Sequence, residues 1–317
     1  MAAKLAPNWT TAAGALEGVL AAAGMPLPRH AVMGLTGHAW HLCLAEQAGV
    51  YALPSGPHDL DWGAMVERYA RTGLRWERFG RRAEGPAVAA ARAEAIAWAA
   101  ERLDAGQLLI GFDFQVHEFA IVRGYDRDRG GFLVESVLSD DLGEFAPWDE
   151  WPALGIVELF APLEASEPDP DEAVGGALTT ALELMAGDDG PKRRGTAAFE
   201  AWAEVLEGDG EVDRAGNAYT LAVLQAARSD GADFLHDLAE GIPALAQPLG
   251  EAERAVRDLT QALSPLLTLF PFPAGGHGNI ANPGLREAAA NALRRAASHE
   301  RHAAAAIAAA LALLAGE

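Results

Sequence analysis

Cysteine is nearly absent from this chain: Cys43 is the only one among 317 residues, so no internal disulfide can form and the sequence reads as adapted to a reducing, cytoplasmic setting. Positive charge is scarce too. Lys plus Arg number 24 against 45 Asp plus Glu, a formal net charge of -21. Such a surface repels phosphate backbones and anionic headgroups, which argues against nucleic acid and peripheral membranes as partners. Long apolar runs are missing: the longest, Ala303 to Ala315, falls short of the roughly 20 residues a bilayer span needs, and Met1 to Pro7 holds no signal-peptide core. Also missing are a Gly-rich phosphate loop, a Cys-Xaa-Xaa-Cys pair and a nucleophile elbow, so no cofactor and no metal is indicated. Lysine occurs only at Lys4 and Lys192; with the alanine-rich helices this reads as coding bias and carries no mechanism.

Half of the residues are apolar, and a chain of this length favours two cores over one. The clearest shift in composition is Glu164 to Glu172, where acidic residues alternate with Pro168 and Pro170 and the apolar pattern stops, as in an exposed linker. The expected division is therefore 1–164 and 172–317, an α+β domain followed by an all-α helical domain.

In the first part, Thr10 or Thr11 caps a helix with Leu16, Val19 and Leu20 on its apolar face, ended by Gly24 and Pro26. Asp61 to Thr72, starting after Asp59 and Asp61, and Ala87 to Leu103 are two more helices. Strands are predicted at Leu108 to Asp113, Glu118 to Arg123, Phe132 to Val137 and Ile156 to Phe160, with a turn at Asp126 to Gly131 that makes the middle pair an antiparallel hairpin. Ala31 to Leu44 fits either a strand or a helical face. In the second part, helical faces are formed by Phe199, Trp202, Val205 and Leu206; by Leu221, Leu224, Arg228 and Leu235; and by Val256, Leu259, Leu263, Leu266 and Leu267. Asn282 with Pro283 starts a last helix running through Ile307 to Leu314. No repeat period joins these helices, so a bundle is expected.

Two stretches carry a family resemblance. The opening Asn8-Trp9-Thr10-Thr11-Ala12, then Gly24-Met25-Pro26-Leu27 and Val32-Met33-Gly34-Leu35, is similar to the start of the amino-terminal domain of the butirosin biosynthesis protein H family. The hairpin Glu118-Phe119-Ala120-Ile121-Val122-Arg123-Gly124-Tyr125-Asp126, followed by Phe132-Leu133-Val134-Glu135, resembles the histidine strand and its neighbour in that family and in papain-like bacterial peptidases. The resemblance implies a papain-like cysteine-peptidase-type domain with an antiparallel sheet, followed by the helical domain, and it spans most of the chain through short motifs.

Papain-like chemistry needs a thiolate at a helix amino terminus, an imidazole base on a neighbouring strand, and a third polar group to hold the ring. The resemblance places the cysteine at Trp9, followed by Thr10 and Thr11. It places the histidine at Glu118, with His117 one residue earlier and directed by strand alternation to the opposite face, unless a β-bulge at His117 restores it. The third slot falls near Glu135. All three roles are altered, so thiol hydrolysis is excluded, and His117, Glu118 and Glu135 remain the candidate catalytic groups.

Each further signal has a plainer reading beside it. Cys43 lies in an apolar stretch, and free cysteine is among the most buried residue types. His38 and His41, and His299 and His302, are spaced for one helical face but lack a second ligand pair. His277, in Gly275-Gly276-His277-Gly278 after Phe270-Pro271-Phe272-Pro273, belongs to a loop that either covers a site or only connects helices. Asp113, Glu118 and Glu135 on adjacent strands either meet as an acid/base or cation-binding cluster or pair with Arg123 and other arginines. Trp9, Trp40, Trp62, Trp76 and Tyr51 either line a pocket for a flat or apolar ligand or form core.

From the resemblance follows a function in bacterial specialised metabolism, where this family moves an aminoacyl group from a carrier protein to an aminoglycoside. For this chain the first expectation is a pseudoenzyme that binds a small acyl, peptide-like or cationic amino-sugar ligand in a cleft between the two domains, with Trp9, Thr10, Trp40 and Asp113 as ligand contacts. The alternatives are an acyltransferase that dispenses with cysteine, with an acyl carrier protein as partner, and a non-enzymatic scaffold or regulatory partner.

Overall fold

The computed structural model describes residues 3–47, 50–52, 60–187 and 192–316. In chain order, helices α1 (Thr11–Ala22) and α2 (Arg29–Thr36) lead through a 3-10 turn at His38–Trp40 to strands β1 (Cys43–Gln47) and β2 (Val50–Ala52). Helix α3 (Trp62–Tyr69), strand β3 (Leu74–Arg82) and helix α4 (Ala87–Asp104) follow. Next come β4 (Leu109–Phe112), β5 (Phe119–Asp126), β6 (Gly131–Glu135), a short helix α5 (Ser139–Leu142), β7 (Phe145–Pro147) and β8 (Ile156–Ala165). The remainder holds α6 (Pro170–Met185), β9 (Lys192–Arg194), α7 (Gly195–Glu207), α8 (Arg214–Gly241), α9 (Ala246–Leu269), α10 (His277–Ile280) and α11 (Pro283–Ala315). The fold is α+β with a helical carboxy-terminal region. No helix of the described residues is long and apolar enough to cross a membrane.

Local chemistry explains most of the boundaries. Asp61, Asp169, Asp213 and Asn282 each sit at an N-cap and accept backbone N–H bonds from the first turn of α3, α6, α8 and α11, and Pro170 and Pro283 occupy first-turn positions where no N–H is needed. Asp59 lies outside the described residues. The ambiguous stretch Ala31 to Leu44 is neither strand nor helix throughout: it ends α2, makes the 3-10 turn and enters β1.

Two compact units result, one of Met1–Val32 with Asp61–Pro168, the other of Met33–Leu60 with Asp169–Glu317. The break at Pro168 lies inside the acidic Glu164 to Glu172 stretch, but a division into contiguous halves at 164 and 172 misses that Met33–Leu60 packs with the second unit. Nor is that unit all helix. Its three-stranded sheet runs in the order β2-β1-β9, with Cys43 opposite Arg194 and Ala45 opposite Lys192, so strands far apart in sequence complete one another.

In the first unit a six-stranded antiparallel sheet runs β3-β8-β4-β5-β6-β7. Ala95 and Ala99 of α4 join Ala120, Val122, Val134 and Leu159 in one apolar cluster. Residues alternate along a strand, so Phe119 and Ile121 face the other way, toward α1 and α3. There Trp62 packs on Phe119 and Phe160, with ring centroids 4.7 and 5.5 Å away. Helix α1 lies close because it carries glycine at i and i+4: a Cβ on Gly18 would stand 2.1 Å from the Lys4 carbonyl and 2.7 Å from Ile121, and one on Gly14 2.4 Å from the Ala6 carbonyl.

The second unit packs α11 against α9, α7 and α6, and α8 against α9. Leu42 and Leu44 enter the same core as Phe199, Trp202, Leu263 and Leu293. Arg228, which stands on the otherwise apolar face of α8, is fully buried with Glu300 of α11. Its Nε donates to Glu300 Oε2 at 3.0 Å, Nη1 to the Ala39 carbonyl at 2.5 Å and Nη2 to the Trp40 carbonyl at 3.1 Å. Two charges enclosed without water persist only because each is hydrogen-bonded by the other and by these carbonyls. Removing one partner strands the other, so Arg228→Met is expected to lose about 3–5 kcal/mol of stability in urea denaturation, while Arg228→Met combined with Glu300→Leu loses much less. Equal losses in the single and double variants would contradict this account.

Candidate functional site

β4 ends at Phe112, and the next residue, Asp113, has φ of +73°, the one non-glycine residue with positive φ among the described residues. Aspartate tolerates this left-handed conformation better than most side chains, at a cost of about 1 kcal/mol or more. The reversal closes a tight loop: Asp113 N–H donates to the Glu118 carbonyl at 3.1 Å, and Glu118 N–H to the Val116 carbonyl at 2.7 Å. β5 then starts at Phe119, so His117 and Glu118 belong to the loop and not to a regular strand, and strand alternation does not set their directions. No bulge at His117 is involved: the β4–β5 pairing keeps one register, and the shift on β5, between Val122 and Gly124, lies in its pairing with β6.

The Asp113 carboxylate is 1% exposed and takes two hydrogen bonds, from Leu154 N–H to Oδ2 at 2.8 Å and from His117 Nδ1–H to Oδ1 at 2.5 Å. His117 itself is 57% exposed. Both residues line a cavity of about 390 Å³ together with Gln115, Leu142, Phe145 and Glu150. The Gln115 side chain braces the cavity wall: its amide donates to the Gly143 carbonyl at 2.7 Å and its oxygen accepts the Ser136 hydroxyl.

A second contact joins α1 to the same loop. Thr11, the first residue of α1, donates its hydroxyl to Glu118 Oε2 at 2.6 Å and accepts Phe119 N–H at 3.0 Å. Trp9, where the resemblance sets the cysteine, lies two residues before Thr11. Thr10 is the residue at the N-cap, where its carbonyl accepts the N–H groups of Ala13 and Gly14 while its hydroxyl makes no capping bond, so the helix mouth opens at Thr11. Trp9 precedes the helix and is 43% exposed.

The three carboxylates do not share a site. Asp113 holds His117, Glu118 holds Thr11, and Glu135 lies 3.4 Å from Lys4 Nζ and 3.4 Å from Arg123 Nη2. The Glu135–Arg123 contact is an ion pair by distance only, since Oε2 of Glu135 lacks a properly directed hydrogen bond; Arg123 aims instead at Glu144, 2.7 Å away, and that hydrogen bond holds the Glu144 carboxyl below its usual range. Among the described residues no group of three His, Cys, Asp or Glu side chains is placed to hold a metal ion.

Trp40 is corrected as a ligand contact. It is fully buried in the second unit, against Gly231 and beneath the Arg228 guanidinium, because the carbonyls of its turn are gripped by that arginine. Trp62 and Trp76 are buried core residues of the first unit, and Tyr51 belongs to β2. Cys43 is buried in β1 of the second unit. The candidate site therefore has no thiol of its own, and its chemical capacity lies in an imidazole whose Nδ1–H is fixed by a buried carboxylate, leaving Nε2 as the proton acceptor.

Sequence reading named Thr11 only as a possible cap, leaving its role open, and missed Gln115, Ser136 and Leu154. Thr11 stood one residue beyond the candidates, whereas the others act through contacts that no local pattern announces. Because Thr11→Val removes a donor from a partly buried carboxylate and an acceptor from Phe119 N–H, it is expected to destabilise the chain by about 1–3 kcal/mol, with Thr11→Ser much closer to wild type. Urea denaturation of both variants checks this, and an unaffected Thr11→Val would show the contact to be dispensable. No protein-family model matches the chain, and no curated protein matches it either.

Proposed function

We propose that the chain is a catalytically degenerate papain-like protein of bacterial specialised metabolism, which binds a small acyl, peptide-like or cationic amino-sugar ligand. The binding site in this reading is the cavity of the first unit bordered by Asp113, His117, Leu142 and Glu150. One observation carries it: at the mouth of α1, facing the start of β5, the Thr11 hydroxyl is hydrogen-bonded at 2.6 Å to Glu118, the residue in the slot the resemblance gives to histidine, and Thr11 follows by two residues Trp9, the slot it gives to cysteine. Thr11 is buried and its oxygen also accepts the Phe119 N–H, so in this reading the pair works as a clasp between helix and loop. The frame of a thiol site persists while its reaction does not.

The acidic composition supports a neutral or cationic ligand over an anionic one. A role in acyl transfer from a carrier thioester, without cysteine, is the second reading, and the fixed imidazole of His117 is the observation that favours it.

Thermal-shift measurements with polyamines, aminoglycosides and acyl-pantetheines separate these readings, because a ligand that binds only the folded state adds about 2.7 kcal/mol of stability at 100 times its Kd. A raised Tm for at least one class is expected, and it should shrink in Leu142→Asp, which puts a charge at the exposed rim of the cavity. Silence across the whole panel would favour a scaffold. A shift that survives Leu142→Asp and His117→Ala unchanged would place the ligand elsewhere.

A further inference from the structure

We infer that the Asp113–His117 pair activates water, and that the cavity it lines hydrolyses neutral carboxylic esters with a small apolar acyl group by direct attack of that water. This rests on that part of the proposed function by which the cavity receives a small ligand; the degeneracy concerns thiol chemistry alone, and the inference assigns the ligand's class and its fate by a reaction that uses no thiol.

Four observations converge. The carboxylate behind the imidazole is almost completely enclosed, and the backbone adopts an unfavourable left-handed conformation to put it there. With Nδ1–H bonded to Asp113, Nε2 carries the lone pair, and no described residue engages it. The backbone N–H groups of Phe114, Gln115, Val116 and His117, in the loop that lines the cavity, have no acceptor among the described residues, and in this proposal they are the donors for a carbonyl oxygen that gains charge. Besides the polar Gln115 and Glu150, the cavity has an apolar side, with Leu142 61% exposed beside Phe145, Pro147 and Ala153.

Among the described residues the lining holds no Cys, Ser, Thr or Lys; an acyl group taken by the His117 imidazole or by a carboxylate would give a labile acyl-imidazole or anhydride, and in this proposal water attacks the ester directly instead. The lining contains no Lys or Arg either, hence no counter-ion for a carboxylate. A neutral ester enters, and the acid produced ionises beside Glu150, which repels it and aids release.

The step balances without any further reagent. His117 Nε2 takes a proton from water as the water oxygen bonds to the ester carbon; the tetrahedral adduct collapses by breaking the bond to the alkoxy oxygen; the imidazolium returns its proton to that oxygen. The products are one carboxylic acid and one alcohol, with no change in oxidation state. Asp113 is a positioning residue throughout, since it touches only the imidazole.

The test follows hydrolysis of p-nitrophenyl butyrate and of ethyl butyrate by the full chain, the latter by pH-stat, against free imidazole at the same concentration. Turnover above imidazole is expected, with kcat/KM falling about 100-fold or more in His117→Ala, the range of general-base catalysis. Since His117 is exposed, that variant keeps the fold. Asp113→Asn should lower kcat far more than it changes KM and should shift the pH profile, because an amide no longer favours the Nδ1–H tautomer. It also alters the contact to Leu154, so its circular dichroism and Tm are compared with those of His117→Gln, which must lose turnover at an unchanged Tm. No burst of p-nitrophenol and no mass increment for an acyl adduct should appear. A rate equal to that of imidazole, an active His117→Ala, or an acylated protein overturns the inference. If turnover is absent while a ligand still raises Tm in a manner that depends on Leu142, only this inference fails; if neither occurs, the binding reading fails with it.

Discussion

The site hangs on one residue in an unfavourable backbone conformation. Asp113 reverses the chain at the end of β4, and its amide and carboxylate then tie together the Glu118 carbonyl, the His117 ring and the Leu154 amide. A residue in the left-handed region persists only when its surroundings over-determine it, and here the loop that follows and the β7–β8 connection do so through three hydrogen bonds. The imidazole orientation, the course of the loop into β5 and the position of the β7–β8 connection are consequences of that single buried carboxylate. Glu118, carried by the same loop, reaches Thr11 and so ties the start of α1 to the hairpin.

The second unit is organised by an equally enclosed group of opposite sign. Arg228 serves as a junction between α8, α11 and the 3-10 turn at His38–Trp40, satisfying two backbone carbonyls and one carboxylate at once. A guanidinium suits that task because its planar fork presents several donors in fixed directions, which a lysine ammonium does not. The turn it captures belongs to the segment that also supplies β1, so the ion pair and the β1–β9 ladder act on the same stretch of chain.

Periodicity and capping chemistry made the helices legible: Asn282-Pro283 and Asp61 mark starts that the structure keeps, and Gly24 follows the end of α1 at positive φ, whereas Asp169-Pro170, which starts α6, was read as part of a linker. The β5–β6 hairpin was equally plain from its turn. Strand β3 escaped notice because Arg75, Glu77, Arg78, Arg81 and Arg82 break its apolar run, although Leu74, Trp76 and Phe79 mark buried or half-buried positions. Site residues fared less well. His117, Glu118 and Asp113 could be singled out by residue type, but their partners depend on a loop reversal that a two-residue strand period does not contain. Trp40 was misplaced because its environment is set by an arginine 188 residues later in the chain. That arginine was itself readable as an anomaly, a charge on the apolar face of α8.

The interleaved chain path has a bearing on the order of assembly. During synthesis the first unit has all of its residues once Pro168 has emerged, but Met33–Leu60, which precedes most of that unit, must wait for β9, then for Arg228, and finally for Glu300. Until α11 has emerged, an apolar stretch containing Leu42, Cys43 and Leu44 is without its final neighbours. A nascent chain of this design exposes the Cys43 thiol before it buries it, which makes the interval before α11 emerges a period of vulnerability to oxidation and to chaperone capture.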